Sequence, residues 1–212
     1  MSEKNLNKIY DVKITLLGES GVGKTSLIKA YFGKEFDPNE KSNLEAKLNL
    51  KTKIINNKKL NINIWDTMGQ EKFRSLVNQF IKGSNIVIFV FDITNRASFL
   101  ELNFWVGYAL QELSREEVIL GVVGNKLDLF DKSEIEITEA EEYSTKIGAF
   151  FSEASASRNP EGFKTFINSL LEKLVQTPNI FEKLGKIQEE PNIRLEKTTT
   201  EKKKKKCCLN SK

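Results

Sequence analysis

The chain has 212 residues, 39% of them hydrophobic and 29% charged, with a net charge of +4. That length suits one domain with a tail, large enough to fold without disulfides or metals, and no apolar run approaches the roughly 18 residues of a membrane span. Residues 177–212 hold ten Lys/Arg against five Glu, net +5, which leaves −1 for residues 1–176; this excludes a basic nucleic-acid-binding body and favours a tail that meets an anionic surface. Met1-Ser2-Glu3-Lys4 shows no apolar signal core and no glycine at position 2 for myristoylation, so the chain is expected in the cytosol.

The first strand is expected over 10–17. Directly after it, Gly18-Glu19-Ser20-Gly21-Val22-Gly23-Lys24-Thr25 fits the phosphate-loop pattern G-x-x-x-x-G-K-[ST], and Ser26 follows. Leu27, Ile28, Tyr31 and Phe32 then have helical spacing. The strand-to-helix context is what this pattern requires. Glycines let the backbone wrap a phosphate chain with its N–H groups inward, and the helix N-terminus adds a positive dipole end. Lys24 is expected on the β- and γ-phosphates, and the Thr25 hydroxyl on Mg²⁺.

Strand candidates 47–55 and 60–65 are joined by the polar turn Asn56-Asn57-Lys58-Lys59. That connection is too short for a crossover helix, so the pair is expected to be an antiparallel hairpin. Trp65-Asp66-Thr67-Met68-Gly69-Gln70-Glu71 follows. A strand-end carboxylate such as Asp66 can hold Mg²⁺ through a water, and Gly69 lets a backbone N–H approach the γ-phosphate. The strand candidate 85–91 comes next. Phe99, Leu102, Val106, Ala109, Leu110 and Leu113 form a helical stripe, with Trp105 at its edge as a packing or a partner residue.

Strand 117–123 leads into Asn125-Lys126-Leu127-Asp128. A carboxylate can accept two hydrogen bonds from adjacent N–H and NH₂ groups, which guanine offers and adenine does not. Asp128 is therefore the expected specificity residue, Asn125 a tie between loops, and Lys126 a stem covering the ring. Strand 149–153 precedes Ser155-Ala156, where a backbone N–H can meet the guanine O6. An ordinary surface turn competes as a reading of each of these segments alone; their joint order behind a phosphate loop argues against coincidence. Phe163, Phe166, Ile167, Leu170, Leu171 and Leu174 make the last stripe, with Asn159 as N-cap and Pro160 at the first position. Strands alternating with helices imply an α/β fold with a mainly parallel sheet, and its ligand belongs at the strands' carboxyl ends. Pro178 ends that helix, and residues 178–212 read as a flexible tail.

Together these segments resemble a Ras-superfamily small GTPase, and most closely the Rab family, over essentially the whole chain. Lys59–Trp65, Lys72–Leu76, Phe80–Gly83, Phe89–Thr94 and the cysteine pair Cys207-Cys208 carry the Rab likeness. The resemblance implies the three-layer phosphate-loop NTPase fold: a six-stranded, mostly parallel sheet with one antiparallel edge strand and helices on both faces. It implies a small GTPase domain over 1–177 and a hypervariable tail over 178–212. The implied activity is a GTP/GDP switch, using Mg²⁺, that directs vesicle traffic as a monomer. Its implied partners are effector, exchange, activating and prenyl-chaperone proteins, and it would cycle between cytosol and the cytosolic face of membranes. By the same match Gln70 orients the attacking water and Phe36 lies beside the guanine ring; on spacing alone Phe36 also suits a core edge.

Several positions depart from the family pattern. Asn43 stands where the family carries a Mg²⁺-binding threonine, and Glu45 where glycine is usual. An asparagine carbonyl is a competent Mg²⁺ ligand with a different reach; Ser42 substitutes only with a one-residue shift. Met68 replaces an alanine and Ser157 a lysine. Slow hydrolysis, or a nucleotide-bound adaptor with impaired hydrolysis, is the expectation at Met68 and Asn43. A different phosphate-loop enzyme, an ATPase or a nucleoside kinase, would instead bind ATP as well as GTP. Lys202–Lys206 before Cys207-Cys208 resembles a doubly prenylated terminus, and two lipid chains, or one chain and a basic patch, give stable anchoring. The four residues Leu209–Lys212 beyond the pair differ from the usual ending, and leave palmitoylation or single prenylation open.

Overall fold

The computed structural model describes residues 8–38, 47–67, 74–184 and 186–188. Six strands run in the order β2-β3-β1-β4-β5-β6: β1 is Lys8–Leu17, β2 Lys47–Ile55, β3 Lys58–Asp66, β4 Ile86–Asp92, β5 Ile119–Asn125 and β6 Phe150–Glu153. All neighbours pair in parallel except β2 with β3. That hairpin closes through Asn56 and Asn57, both at positive φ (46° and 60°), the tight two-residue geometry that asparagine tolerates and that matches strand twist. The five parallel strands therefore end on one rim.

The helices are α1 (Lys24–Tyr31), α2 (Arg74–Ile81), α3 (Arg96–Leu100), α4 (Leu102–Glu112), α5 (Ile137–Lys146), α6 (Pro160–Gln176) and α7 (Pro178–Phe181). The stripe expected over 99–113 is thus two helices; Asn95 caps the first, its side chain accepting from the Ser98 N–H. Asn159 caps α6 by accepting from the Gly162 N–H, with Pro160 in the first turn. One core lies under α1 and α6, where Leu27, Phe163, Leu170 and Leu174 pack on Val12, Ile14, Leu60 and Ile62. The other lies under α3 and α4, where Phe99, Leu102 and Trp105 pack on Phe89, Phe91 and Val122. Strands β4 and β5 are buried throughout, as expected of parallel strands covered on both faces.

The end of the domain departs from the expected layout. Beyond the boundary at 177, α7 buries Ile180, and Leu184 is buried after it. The Phe181 ring lies 4.6 Å from that of Tyr10, and a three-residue strand, β7 (Lys186–Gln188), pairs antiparallel with the start of β1. The beginning of the expected tail therefore packs on the domain; residues 189–212, with Cys207 and Cys208, lie outside the described residues. In β2 the side chains of Leu48, Leu50 and Ile54 are turned to solvent at 45%, 59% and 61% exposure.

Candidate nucleotide site

The loop from Gly18 to Gly23 leaves β1 and enters α1. Gly18 sits at φ 144°, and a Cβ there would meet the Val90 carbonyl oxygen of β4 at 2.1 Å. Gly23, at φ 95°, lies so close to Asn125 that a Cβ would fall 2.3 Å from its Nδ2. Both positions demand glycine, and both press the loop against the sheet rim. Gly23 is also the N-cap of α1 and offers no side-chain cap, so the helix end faces the cradle with backbone N–H groups, which suits an anion.

Lys24 is 5% exposed. Its Nζ donates to the carbonyl oxygens of Gly18 and Glu19, each at 2.8 Å. Burial lowers its pKa to about 8, with the nearby Asp66 and Glu19 carboxylates pulling the other way. A buried ammonium whose bonds go to neutral carbonyls is poised for an anion. Asp66, 2% exposed at the end of β3, and Thr25, the second residue of α1, bring hard oxygens to the same corner. Such a pair suits Mg²⁺, which keeps several waters and takes one or two carboxylates. Gly69, Gln70 and Asn43, expected at the γ-phosphate, fall outside the described residues, as does Met68.

Beside the loop is a cavity of about 280 Å³, lined by Gly21, Gly23, Ser26, Phe36, Asn125, Lys126, Asp128 and Ala156 among others. It therefore gathers residues expected from four separate segments. Phe36 is 46% exposed on its wall, not at a core edge. Asn125, 2% exposed, donates from Nδ2 to the Val22 carbonyl at 2.8 Å and so ties β5 to the phosphate loop; its Oδ1 is buried with no hydrogen-bond partner, an acceptor that a bound ligand can satisfy. Lys126 takes the left-handed conformation (φ 69°), which costs any residue with a Cβ and is enriched at functional sites.

The Ser155 hydroxyl donates to Asp128 Oδ1 at 2.5 Å and accepts from the Arg158 N–H. Burial opposes the Asp128 charge, yet the hydroxyls of Ser155 and Ser157, its own backbone and Arg158 outweigh it, and the carboxyl titrates below its ordinary value. It is an acceptor-only anion at neutral pH, as a base offering N–H and NH₂ requires. The expectation at Ser155 concerned a backbone N–H; its side chain in addition aims Asp128.

Two contacts were not legible beforehand. Asp92, at the end of β4, pairs through Oδ2 with Lys126 Nζ at 2.6 Å and accepts from Thr94 through Oδ1, which draws the lysine stem along the cavity wall. A signal existed: Asp92 ends a strand as Asp66 does. The Trp105 indole N–H donates to Glu19 Oε1 at 3.1 Å, across 86 residues of sequence, and spacing alone could not reveal that.

Known proteins resemble this chain over most of its length. The Ras family model matches residues 13–176. The Ras-related protein Rab-18 of Caenorhabditis elegans is 31% identical over 208 residues, 98% of this chain and 99% of that protein. Rab-18-B of Danio rerio is 35% identical over 171 residues, 81% and 82% of the two chains. Human Rab-21 is 36% identical over 176 residues, 83% and 77%.

Proposed function

The chain belongs to the Ras family, and from that premise we propose a Rab-like GTP/GDP switch that hydrolyses GTP slowly and recruits effectors to membranes in vesicle transport. The observation that carries this reading is one rim holding both an acceptor-only carboxylate, Asp128, and a buried ammonium, Lys24, joined by the Asn125 bridge. In this reading the loop amides from Gly18 to Thr25 cradle the phosphates, and Lys24 offsets charge on the β- and γ-oxygens. Asp128 accepts the two guanine donors, while Phe36 and the Lys126 stem cover the ring faces. Thr25 and Asp66, with Asn43, would hold Mg²⁺. When bound, that ion helps neutralise charge developing between the β- and γ-phosphates.

Gln70 would align the attacking water, so hydrolysis rests on positioning rather than on covalent chemistry. An activating partner would supply an arginine. The outward apolar row Leu48, Leu50 and Ile54 of β2 supports a partner-binding face, since rows of this kind are seldom left without use. Lipid on Cys207 and Cys208, together with the lysine run, would anchor the tail. Mass spectrometry of protein from its native cell should find that lipid; an unmodified terminus removes the anchor.

The departures at Asn43 and Met68 favour a second reading, a nucleotide-bound adaptor. Turnover separates the two. Phosphate release from GTP should be slow alone, on the order of 10⁻⁴ to 10⁻² s⁻¹, should rise steeply with an activating protein, and should vanish in Gln70→Leu. If no activator moves the wild type above Gln70→Leu, the adaptor reading stands instead.

A further inference from the structure

Trp105 is 1% exposed in α4 and is not among the lining residues of the nucleotide cavity. Its indole nevertheless reaches the phosphate loop, donating to the Glu19 carboxylate. Glu19 places a carboxylate on the phosphate loop itself. It carries negative charge, it lies one residue after Gly18, and its own carbonyl holds Lys24 Nζ. The Glu19 carboxylate already acts on Lys24 through space, favouring the charged ammonium. A carboxylate this close to the one buried ammonium among the described residues is an intramolecular rival of any phosphate that lysine is to bind.

We propose that Trp105 is a positioning residue: its indole keeps the Glu19 carboxylate turned to α4 and out of competition with nucleotide phosphates for Lys24. The physics is a short-range directional bond to a charged acceptor, worth about twice a neutral one, set against a chelate-like alternative that needs only a side-chain rotation. Releasing the carboxylate lowers affinity for anions at Lys24 without changing any residue that touches them. The inference rests on the guanine-nucleotide reading above.

A double-mutant cycle on GDP dissociation tests it, since the cycle separates the Trp105–Glu19 interaction from the packing that each side chain makes elsewhere. Trp105→Phe keeps an aromatic ring and removes the donor; it should speed GDP release by about tenfold, the scale of one hydrogen bond to a charged group. With Glu19→Gln already present, the same substitution should change the rate by less than about threefold, because a neutral amide competes poorly for Lys24. An equal effect in both backgrounds, or no effect in either, overturns the proposal. Should Trp105→Phe fail to fold, Trp65→Phe leaves Trp105 as the single indole. Adding Glu19→Ala to that protein should then move its emission to shorter wavelength, and an unmoved spectrum overturns the contact. A parent protein that holds no guanine nucleotide brings down both readings; a parent that binds, with an uncoupled cycle, brings down this one alone.

Discussion

At the base end of the pocket, side chains are bonded to other side chains or to fixed carbonyls: Asp128 to Ser155, Lys126 to Asp92, Asn125 to the Val22 carbonyl. At the phosphate end Lys24 is held by backbone, its Nζ donating to the carbonyl oxygens of Gly18 and Glu19, so a buried charge rests on two neutral oxygens. The first arrangement is preorganised, so a base meets acceptors already aimed. The second holds an electrostatic deficit that an anion relieves. On the guanine-nucleotide reading proposed above, recognition would be divided: aimed side chains at one end would select the base, and the buried charge at the other would hold the phosphates.

That division ranks the consequences of substitution. Lys24→Met should be the most damaging, weakening GDP by about a thousandfold, since two charge-assisted contacts of about 2 kcal/mol each are lost; equilibrium dialysis of nucleotide-stripped protein reads it. Asp128→Asn should follow, with about a hundredfold loss for GDP and a gain for xanthine nucleotides, because the amide presents a donor where guanine also has one. If GDP and xanthosine diphosphate change in parallel, the base end is not where selection occurs.

Titration comes next in size. Phosphate favours charged Lys24, so binding raises a pKa that stands at about 8 in the ligand-free fold. Affinity should be flat below pH 8 and should fall by up to about tenfold per unit above it, with measurable proton uptake in calorimetry. The fold itself behaves in the opposite sense. Lys24 titrates lower in the native state than in the unfolded chain, so it destabilises the ligand-free protein below pH 8, and that cost is relieved as pH rises from about 8 towards 10.5. Lys24→Met should flatten both profiles.

The smaller effects sharpen the base end. Asp92→Ala frees the Lys126 head and should weaken GDP by about fivefold, as loss of a partly buried ion pair would. Ser155→Ala leaves Asp128 in place but unaimed and should cost about threefold, the scale of half to one hydrogen bond. Both should act on guanine and leave phosphate-only binding, read with pyrophosphate, unchanged. An equal loss for pyrophosphate would merge the two ends into one unit.

Much of the layout was readable from the sequence because its signals are local and redundant. The order of strands and helices follows from apolar spacing, and Asn159-Pro160 starts α6 as N-cap chemistry requires. The phosphate loop is legible because its glycines answer backbone constraints, as the 2.1 Å and 2.3 Å approaches at Gly18 and Gly23 demonstrate. What escaped is set by tertiary contact. Strand β7 has three residues, too few for any period to register. Helix α7 carries Ile180 and Phe181, with Leu184 just after it, but in a polar surround after Pro178 that reads as linker. The lock of Asp92 on Lys126 and the reach of Trp105 to Glu19 depend on rotamers and on distant segments. In β2 the alternate placing of Leu48, Leu50 and Ile54 does not by itself say which face is covered.

The central claim is tested most directly by titrating GDP into nucleotide-stripped protein in magnesium buffer, alone and in the presence of excess ATP. The account expects GDP to bind at or below about micromolar concentration, with ATP in about thousandfold excess leaving the isotherm in place. An absence of GDP binding at that concentration, or displacement by ATP at parity, would contradict it.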